Sequence, residues 1–262
     1  MLNKDIFSRL LQQRQFKSVR SILDVMNAVD IASLLSELDG KELALVFRLI
    51  PKAKAAEVFA NLNSAMQSYL VEMFSEKELR ELLADLYMDD TVDILEELPA
   101  NLVTRILAAI SPENRNIINK LLNYPEDSAG SIMTTEYVDL KPGWTAAQSM
   151  EHIKKTGIHK ETIYTCYVTE NNRKLVGMVS LRTLLFSEDE DVLENIMESN
   201  VISVNTLEDQ ESVAQMFTKY DFAALPVVDQ ENRLVGIITV DDIVDVIEEE
   251  TTEDFEKMAA ML

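Results

Sequence analysis

Apolar residues early in the chain fall three and four positions apart, in Ile31, Leu34, Leu35 and Leu38 and again in Leu43, Val46, Phe47 and Ile50. That spacing gathers them on one face of successive helices. Pro51, Pro99, Pro112 and Pro125 interrupt the pattern, and Ser111-Pro112 joins a capping hydroxyl to a proline suited to a first helical turn. Helical segments of roughly 10–15 residues with short breaks predict stacked hairpins, a short superhelical array, over residues 1–127. No strand signal occurs there.

After Pro125 short β-branched runs alternate with helical segments, and the sequence repeats itself. Ile132-Met133 returns as Ile196-Met197, and Val138 and Leu140 return as Ile202 and Val204, 64 residues later. Leu175-Val176-Gly177-Met178-Val179-Ser180 returns as Leu234-Val235-Gly236-Ile237-Ile238-Thr239, now 59 residues later. The lost five residues place a small insertion in the first copy, near Thr156 to Thr165. Two β-α-β-β-α units of about 60 residues, each with one apolar face, are expected to bury those faces against each other. The fold class is therefore multi-domain, α + α/β.

Composition sharpens this picture. At 262 residues, 47% hydrophobic and 27% charged, the chain reads as soluble and globular, with room for two domains. Its net charge of −22 disfavours nucleic acid and anionic lipid as partners and favours cations. Residues 1–127 carry 20 acids and 14 bases, and residues 128–262 carry 26 and 10. The opening twenty residues are basic, with Lys4, Arg9, Arg14, Lys17 and Arg20 against Asp5. Both intramolecular docking and a solvated amphipathic helix fit that segment. Cys166 is the only cysteine, which rules out a disulfide, and its apolar run predicts a core position. The first ten residues already hold Lys4, Asp5 and Arg9, unlike a signal peptide. The longest uncharged stretch, Val58 to Val71, contains Asn61, Asn63, Ser64, Gln67 and Ser68, so no bilayer span is expected and any pore lies outside this chain.

Acids concentrate near the end. Nine of them lie between Asp241 and Glu256 with no base among them until Lys257. On a helix Asp242 and Asp245 share a face, as do Asp245 and Glu249. Two carboxylates about 4 Å apart repel by roughly 4 kcal/mol at an effective dielectric near 20, which favours either spreading in solvent or a bound cation. Mg²⁺ suits such donors because it takes oxygen ligands and keeps several waters. An EF-hand loop is lacking, and only two histidines are present to hold zinc. A second acidic group, Asp89-Asp90-Thr91-Val92-Asp93, sits in the helical array with Asp89 and Asp93 one turn apart.

The paired repeats resemble a tandem of cystathionine-β-synthase (CBS) domains, a pseudo-twofold regulatory module. The junction Tyr124-Pro125-Glu126-Asp127-Ser128-Ala129-Gly130-Ser131-Ile132-Met133-Thr134-Thr135-Glu136-Tyr137-Val138 is similar to the entry into the CBS pair of MgtE-type Mg²⁺ transporters. Lys219-Tyr220-Asp221-Phe222 before Leu225-Pro226-Val227-Val228-Asp229 is similar too, as is Thr239-Val240-Asp241-Asp242 leading into Thr251-Thr252-Glu253-Asp254. The resemblance implies an N domain at 1–127, a first CBS domain at 128–195, a second at 196–248, and the start of a connecting (plug) helix at 249–262. A transmembrane domain would follow, and the chain would lie at the cytoplasmic face of the cell membrane as a homodimer paired through its CBS domains. It also implies Mg²⁺ as the bound ion. The cluster Asp89, Asp90 and Asp93 would share an ion with Asp242, while Asp209, Glu211, Asp221 and Asp245 would bind ions with Glu250, Glu253 and Asp254. Bridging these faces would compact the dimer and close the pore.

The alternative is an ATP sensor, since CBS pairs often hold adenine nucleotides through a Ser/Thr-x-x-Asp signature. The second repeat has Thr239-Val240-Asp241-Asp242, whereas the first has Ser180-Leu181-Arg182-Thr183 with Thr183 in place of Asp. Thr239, Asp242 and Ser180 are the candidate contacts. An enzyme is not expected. Gly40, Gly130, Gly143, Gly157, Gly177 and Gly236 are too dispersed for a phosphate loop, and Cys166 with His152 or His159 lacks an orienting third group. Both histidines read as surface residues, Trp144 as packing ahead of the first CBS helix, and the twelve methionines as core. A scaffold with no ligand is the remaining class.

Overall fold

The computed structural model describes the backbone of residues 4–260, and the side chains of that range other than 4–6, 248, 249 and 253–260. The chain divides into two compact units: residues up to 86 with 90–118, and residues 87–89 with 119 onward.

The first unit is helical. Its elements are α1 (Lys4–Gln12), α2 (Phe16–Val25), α3 (Ala28–Leu35), α4 (Gly40–Phe47) and α5 (Lys52–Ala60). The series continues with α6 (Ser64–Met73), α7 (Glu76–Leu83), α8 (Met88–Glu97), α9 (Ala100–Ala109) and α10 (Pro112–Leu121). At 8–10 residues each they are too short to stand alone and are held by packing. Helix α3 packs on α5, α5 on α7 and α7 on α9, which is the expected stacking. The 3–4 periodicity supplies the core: Ile31, Leu35, Leu43, Val46 and Phe47 are buried. In the basic opening segment, Phe7, Leu11, Val19 and Leu23 are buried while Arg9, Arg14, Lys17 and Arg20 are exposed, as in an amphipathic hairpin.

Local chemistry sets the helix ends. Ser75 and Glu78 form a capping box, and Ser111 accepts from the Asn114 N–H at 3.2 Å ahead of Pro112. Cations close the C-terminal carbonyls. Lys54 donates to Asp24 and Met26, and Arg105 donates to Val71, Glu72 and Phe74.

The second unit holds the two repeats. The first is β1 (Asp139–Leu140), α11 (Ala146–Thr156), β2 (Thr165–Thr169), β3 (Leu175–Ser180) and α12 (Leu181–Phe186), then a one-turn α13 (Leu193–Ile196). The second is β4 (Val204–Asn205), α14 (Gln210–Tyr220), β5 (Ala224–Val228), β6 (Leu234–Thr239) and α15 (Val240–Ala260). Each sheet has three strands, parallel then antiparallel, in the orders β1-β2-β3 and β4-β5-β6. Leu140 pairs with Val168 and Val204 with Val227, so the offset falls from 64 to 59 between the two strands of each pair. A 3₁₀ turn, Gly157–His159, occupies the insertion.

The segments leading into the repeats are exchanged. Thr134, ahead of the first repeat, pairs with Ile237 of β6, and Glu198, ahead of the second, pairs with Met178 of β3. Met133 lies against Gly236 and Met197 against Gly177, and a Cβ on either glycine would stand 2.5–2.6 Å from the methionine sulfur. The repeated Ile-Met and glycine motifs are thus partners across the pair. Tyr167, Leu175, Val228, Leu234 and Ile237 form a buried cluster drawn from both sheets.

Cys166 is fully buried, and Trp144 packs on the first-repeat core. His152 departs from expectation: it is half-buried with its ring 5.1 Å from that of Trp144, whereas His159 is exposed. Two turns after Thr145 on an amphipathic helix, His152 falls near the face that Trp144 covers. Helix α15 runs unbroken through residue 249. No glycine or proline interrupts it. Among the described residues no helix is long and apolar enough to cross a membrane.

Candidate functional site

Helices α14 and α15 pack together and carry most of the acids singled out in the sequence. The Val240 N–H, at the start of α15, donates to Ala223 O at 3.1 Å, just beyond the end of α14. Ten residues on, Glu250 Oε1 accepts from Gln210 Nε2 at 3.0 Å, at the start of α14. The pair is therefore antiparallel, and its acids fall into two sets about 16 Å apart along an 11-residue helix.

At one end stand Asp209, Glu211 and Glu250. Asp209 caps α14, accepting from the N–H groups of Glu211 (3.0 Å) and Ser212 (3.4 Å). Gln210 between them is only 6% exposed. Its amide donates both to Glu250 and to Asp127 Oδ1 (3.3 Å), tying α15 and the 127–131 junction to the same point. That junction lies along the loop before α14, with Ala129 N–H on Glu208 O and Gly130 N–H on Thr206 O. Gly130 is required there because a Cβ would meet the Tyr124 ring at 2.5 Å and Thr206 O at 2.9 Å.

At the other end are Asp221, Asp242 and Asp245. Asp221 ends α14 in the left-handed region (φ 54°), exposed to solvent. Asp242 is half-buried and caps α15, its Oδ2 accepting from Thr239 Oγ1 (2.6 Å) and the Thr239 N–H (3.2 Å). Burial raises the Asp242 carboxyl above the usual range, opposed by the two Thr239 bonds and helped by the nearby charges of Asp241 and Asp245. Asp245 is exposed one turn along. The side chains of Glu253 and Asp254 lie outside the described residues. On α8, Asp89 and Asp90 are half-buried and Asp93 is exposed. Among the described residues no three His, Cys, Asp or Glu side chains gather into a metal-holding group. The structure divides the exposed or half-buried carboxylates between the two ends of one helix pair.

A cleft of about 340 Å³ opens between the repeats. Ser180, Thr183, Glu198, Asn200, Asp221 and Phe222 line it, with a mostly apolar remainder that includes Ile202, Leu225 and Pro226. Ser180 caps α12, and its hydroxyl lies 2.8 Å from that of Thr183. Thr239 and Asp242 are not among the lining residues. Asp221, singled out as a metal ligand, is. Sequence reasoning missed Gln210 and Glu198. The only signal for Gln210 was a neutral polar residue between Asp209 and Glu211.

Comparison with known proteins bears on both features. Residues 26–127 match the family model of the MgtE intracellular N domain, and residues 129–189 and 193–249 match that of the CBS domain. The chain is 38% identical over 255 residues to the magnesium transporter MgtE of Thermus thermophilus, and 32% identical over 251 residues to that of Bacillus subtilis. Each match covers 96% of this chain and 56% of the relative, so the chain spans about half the length of the curated relatives it matches. Its fold is similar to the crystal structure of the cytosolic domain of the Mg²⁺ channel MgtE in complex with ATP, with TM-score 0.87 and 36% identity over 93% of this chain and 100% of that one. It is also similar to that of the soluble part of a magnesium transporter, with TM-score 0.86 and 31% identity over 94% and 97%.

Proposed function

The chain belongs to the MgtE family through its intracellular part, an MgtE N domain followed by a CBS pair, and on that premise we propose that it is a Mg²⁺-responsive regulatory region of a magnesium transporter or channel, bound to a membrane domain at the cytoplasmic face. The observation that carries the reading is the division of acids between the two ends of the α14–α15 pair. The donors are oxygen only, mostly solvent-facing, and three per end, and an ion that keeps its waters needs only one or two of them. Without Mg²⁺ these carboxylates repel one another. With it, Asp209, Glu211 and Glu250 at one end, and Asp221, Asp242 and Asp245 at the other, are screened and bridged, together with Glu253 and Asp254 further along α15. Asp89, Asp90 and Asp93 are a further set of donors in this reading. Moving a two-state equilibrium from 1:99 to 99:1 takes about 5.5 kcal/mol of differential binding. Several weak ions acting together supply that, compact the protein and close the pore.

A homodimer fits this reading. Leu185 and Phe186 on α12, and Val240, Val244 and Ile247 on α15, are apolar and exposed, Phe186 by 84%. Cys166 is no nucleophile in this reading: burial pushes its thiol up to about 12. Small-angle scattering tests the proposal. The radius of gyration falls between EDTA and saturating Mg²⁺, and an unchanged radius refutes it.

The cleft supports a second reading, an adenine-nucleotide site that modulates the Mg²⁺ response. Ser180 is its one signature contact, and ATP is the ligand of the similar cytosolic domain. Saturable binding of ATP to this chain, lost on filling the cleft by Ala223→Trp, tests it.

A further inference from the structure

The basic hairpin α1–α2 belongs to neither acidic set. Between residues 6 and 23 the chain carries Arg9, Arg14, Lys17 and Arg20 and no acid. The apolar residues of the hairpin, Phe7, Leu11, Val19 and Leu23, are buried, while all four cations are exposed. The cations gather about the turn. Arg9 lies one helical turn before the end of α1, and Arg14 sits in the connection with a left-handed backbone (φ 53°). Lys17 and Arg20 fall in the first two turns of α2. Arg14 and Lys17 border one shallow recess, with Phe16 and Ser18. From helix rise and helix spacing the group spans about 10–15 Å, and charges much farther off are largely screened from it at physiological salt. In the same unit Arg48 pairs with Glu78, Lys52 and Lys77 with Glu81, and Arg105 with Glu76. None of the four hairpin cations makes an ion pair among the described residues.

Resting on the reading that places the chain at the cytoplasmic face of a membrane, we propose that the α1–α2 hairpin docks on anionic lipid headgroups. Four exposed, flexible cations without a built pocket suit a surface of closely spaced phosphates, each met by one side chain. The apolar side of the hairpin is committed to the protein core, so the contact is electrostatic and nothing inserts between the acyl chains. Each cation brought to an anionic membrane is worth roughly fivefold in binding, so four together reach several hundredfold at low salt. The net charge of −22 disfavours such a surface for the chain as a whole. That repulsion trims the gain and confines attachment to this one patch, where it is weak and salt-sensitive.

Vesicle co-sedimentation of the full chain in EDTA tests this, with vesicles of phosphatidylcholine alone and with one-third phosphatidylglycerol. The expected result is binding at least about tenfold stronger to the anionic vesicles, lost when salt shortens the Debye length to about 3 Å. The variant Arg9→Gln/Arg14→Gln/Lys17→Gln/Arg20→Gln should fall to the phosphatidylcholine level. Its four positions are exposed, and an unchanged urea midpoint shows that the fold is kept. The charge-matched control Lys41→Gln/Lys120→Gln/Lys154→Gln/Lys174→Gln alters four exposed lysines elsewhere and should still bind. No preference for anionic vesicles, or an equal loss in both variants, overturns the inference. So does a hairpin variant that binds vesicles normally but loses self-association in the analytical ultracentrifuge, which assigns the patch to the acids of a second copy. Compaction by Mg²⁺ is read separately by scattering. If compaction holds while anionic vesicles stay unbound, the inference falls alone; if it fails while they are bound, the Mg²⁺ reading falls alone.

Discussion

Replacing Gly236 by alanine probes the exchanged lead-in segments directly. A Cβ there would stand 2.6 Å from Met133 Sδ and 2.7 Å from Thr134 O. The methionine can swing away. The carbonyl cannot, because it accepts the Ile237 N–H at 2.9 Å while the Thr134 N–H donates to Ile237 O at 2.8 Å. Reaching ordinary contact requires a retreat of about 0.6 Å, which stretches both bonds to the limit of hydrogen-bond geometry. Losing most of two backbone bonds and overpacking a buried site costs about 3 kcal/mol, offset by roughly 0.5–1 kcal/mol from removing glycine's freedom in the unfolded chain. A net loss of about 2–3 kcal/mol is expected. Gly177→Ala, the pseudo-symmetric change, meets the flexible Met197 at 2.5 Å and a backbone oxygen only at 3.2 Å, and should cost about 1 kcal/mol. Gly143→Ala, with nothing within 4 Å, is the neutral control. Trp144 is the only tryptophan and packs on the first-repeat core, so urea unfolding followed by its fluorescence reports on this unit. A Gly236→Ala variant as stable as Gly177→Ala would refute the reasoning.

Three further outcomes can be checked by chemical or thermal denaturation in metal-free buffer. Glu78 is held down to about 2, first by its hydrogen bond from Arg48 and then by the Ser75 N–H. Its stabilisation is present above the ordinary glutamate range and lost as pH falls towards 2, and Glu78→Gln, discounted for solvent screening, should cost about 1 kcal/mol at neutral pH and nothing in strong acid. Asp242 is shifted the other way, chiefly by burial, so the folded state binds its proton more tightly than the unfolded state does. Stability then rises as pH falls from its folded pKa towards the ordinary aspartate value, and Asp242→Asn should remove that rise from the pH profile. Gln210→Leu leaves Glu250 and Asp127 without their shared donor and should cost about 1–2 kcal/mol, read as an earlier urea midpoint with an unchanged slope.

The two architectures were legible because each rests on local periodicity. Three- and four-residue spacing marks the helices of the first unit, and proline and serine mark where they begin. The repeat with its shrinking offset marked the succession of strands and helices in each unit and located the insertion. Pairing between distant segments leaves no such trace. The Ile-Met and glycine motifs are visible as repeats, but that each serves the opposite copy follows only from the fold. Asp209 and Asp221 look like members of one acidic population in sequence, and it is the straightness of α14 that separates them. Gln210 and Glu250 are 40 residues apart, and only the antiparallel return of α15 makes them neighbours. His152 was misjudged because a helix face depends on what covers it, here a tryptophan before the helix rather than on it.

Helix α15 is anchored over its first half, by Ala223 at one end and Gln210 near the middle, and continues to Ala260 without a joint. Its 21 residues make a rod about 30 Å long. A tilt of roughly 10° about Val240 sweeps the far tip through about 5 Å, one full helical turn. Length alone gives it leverage: a small tilt at its root is a displacement of about one helical turn at its tip.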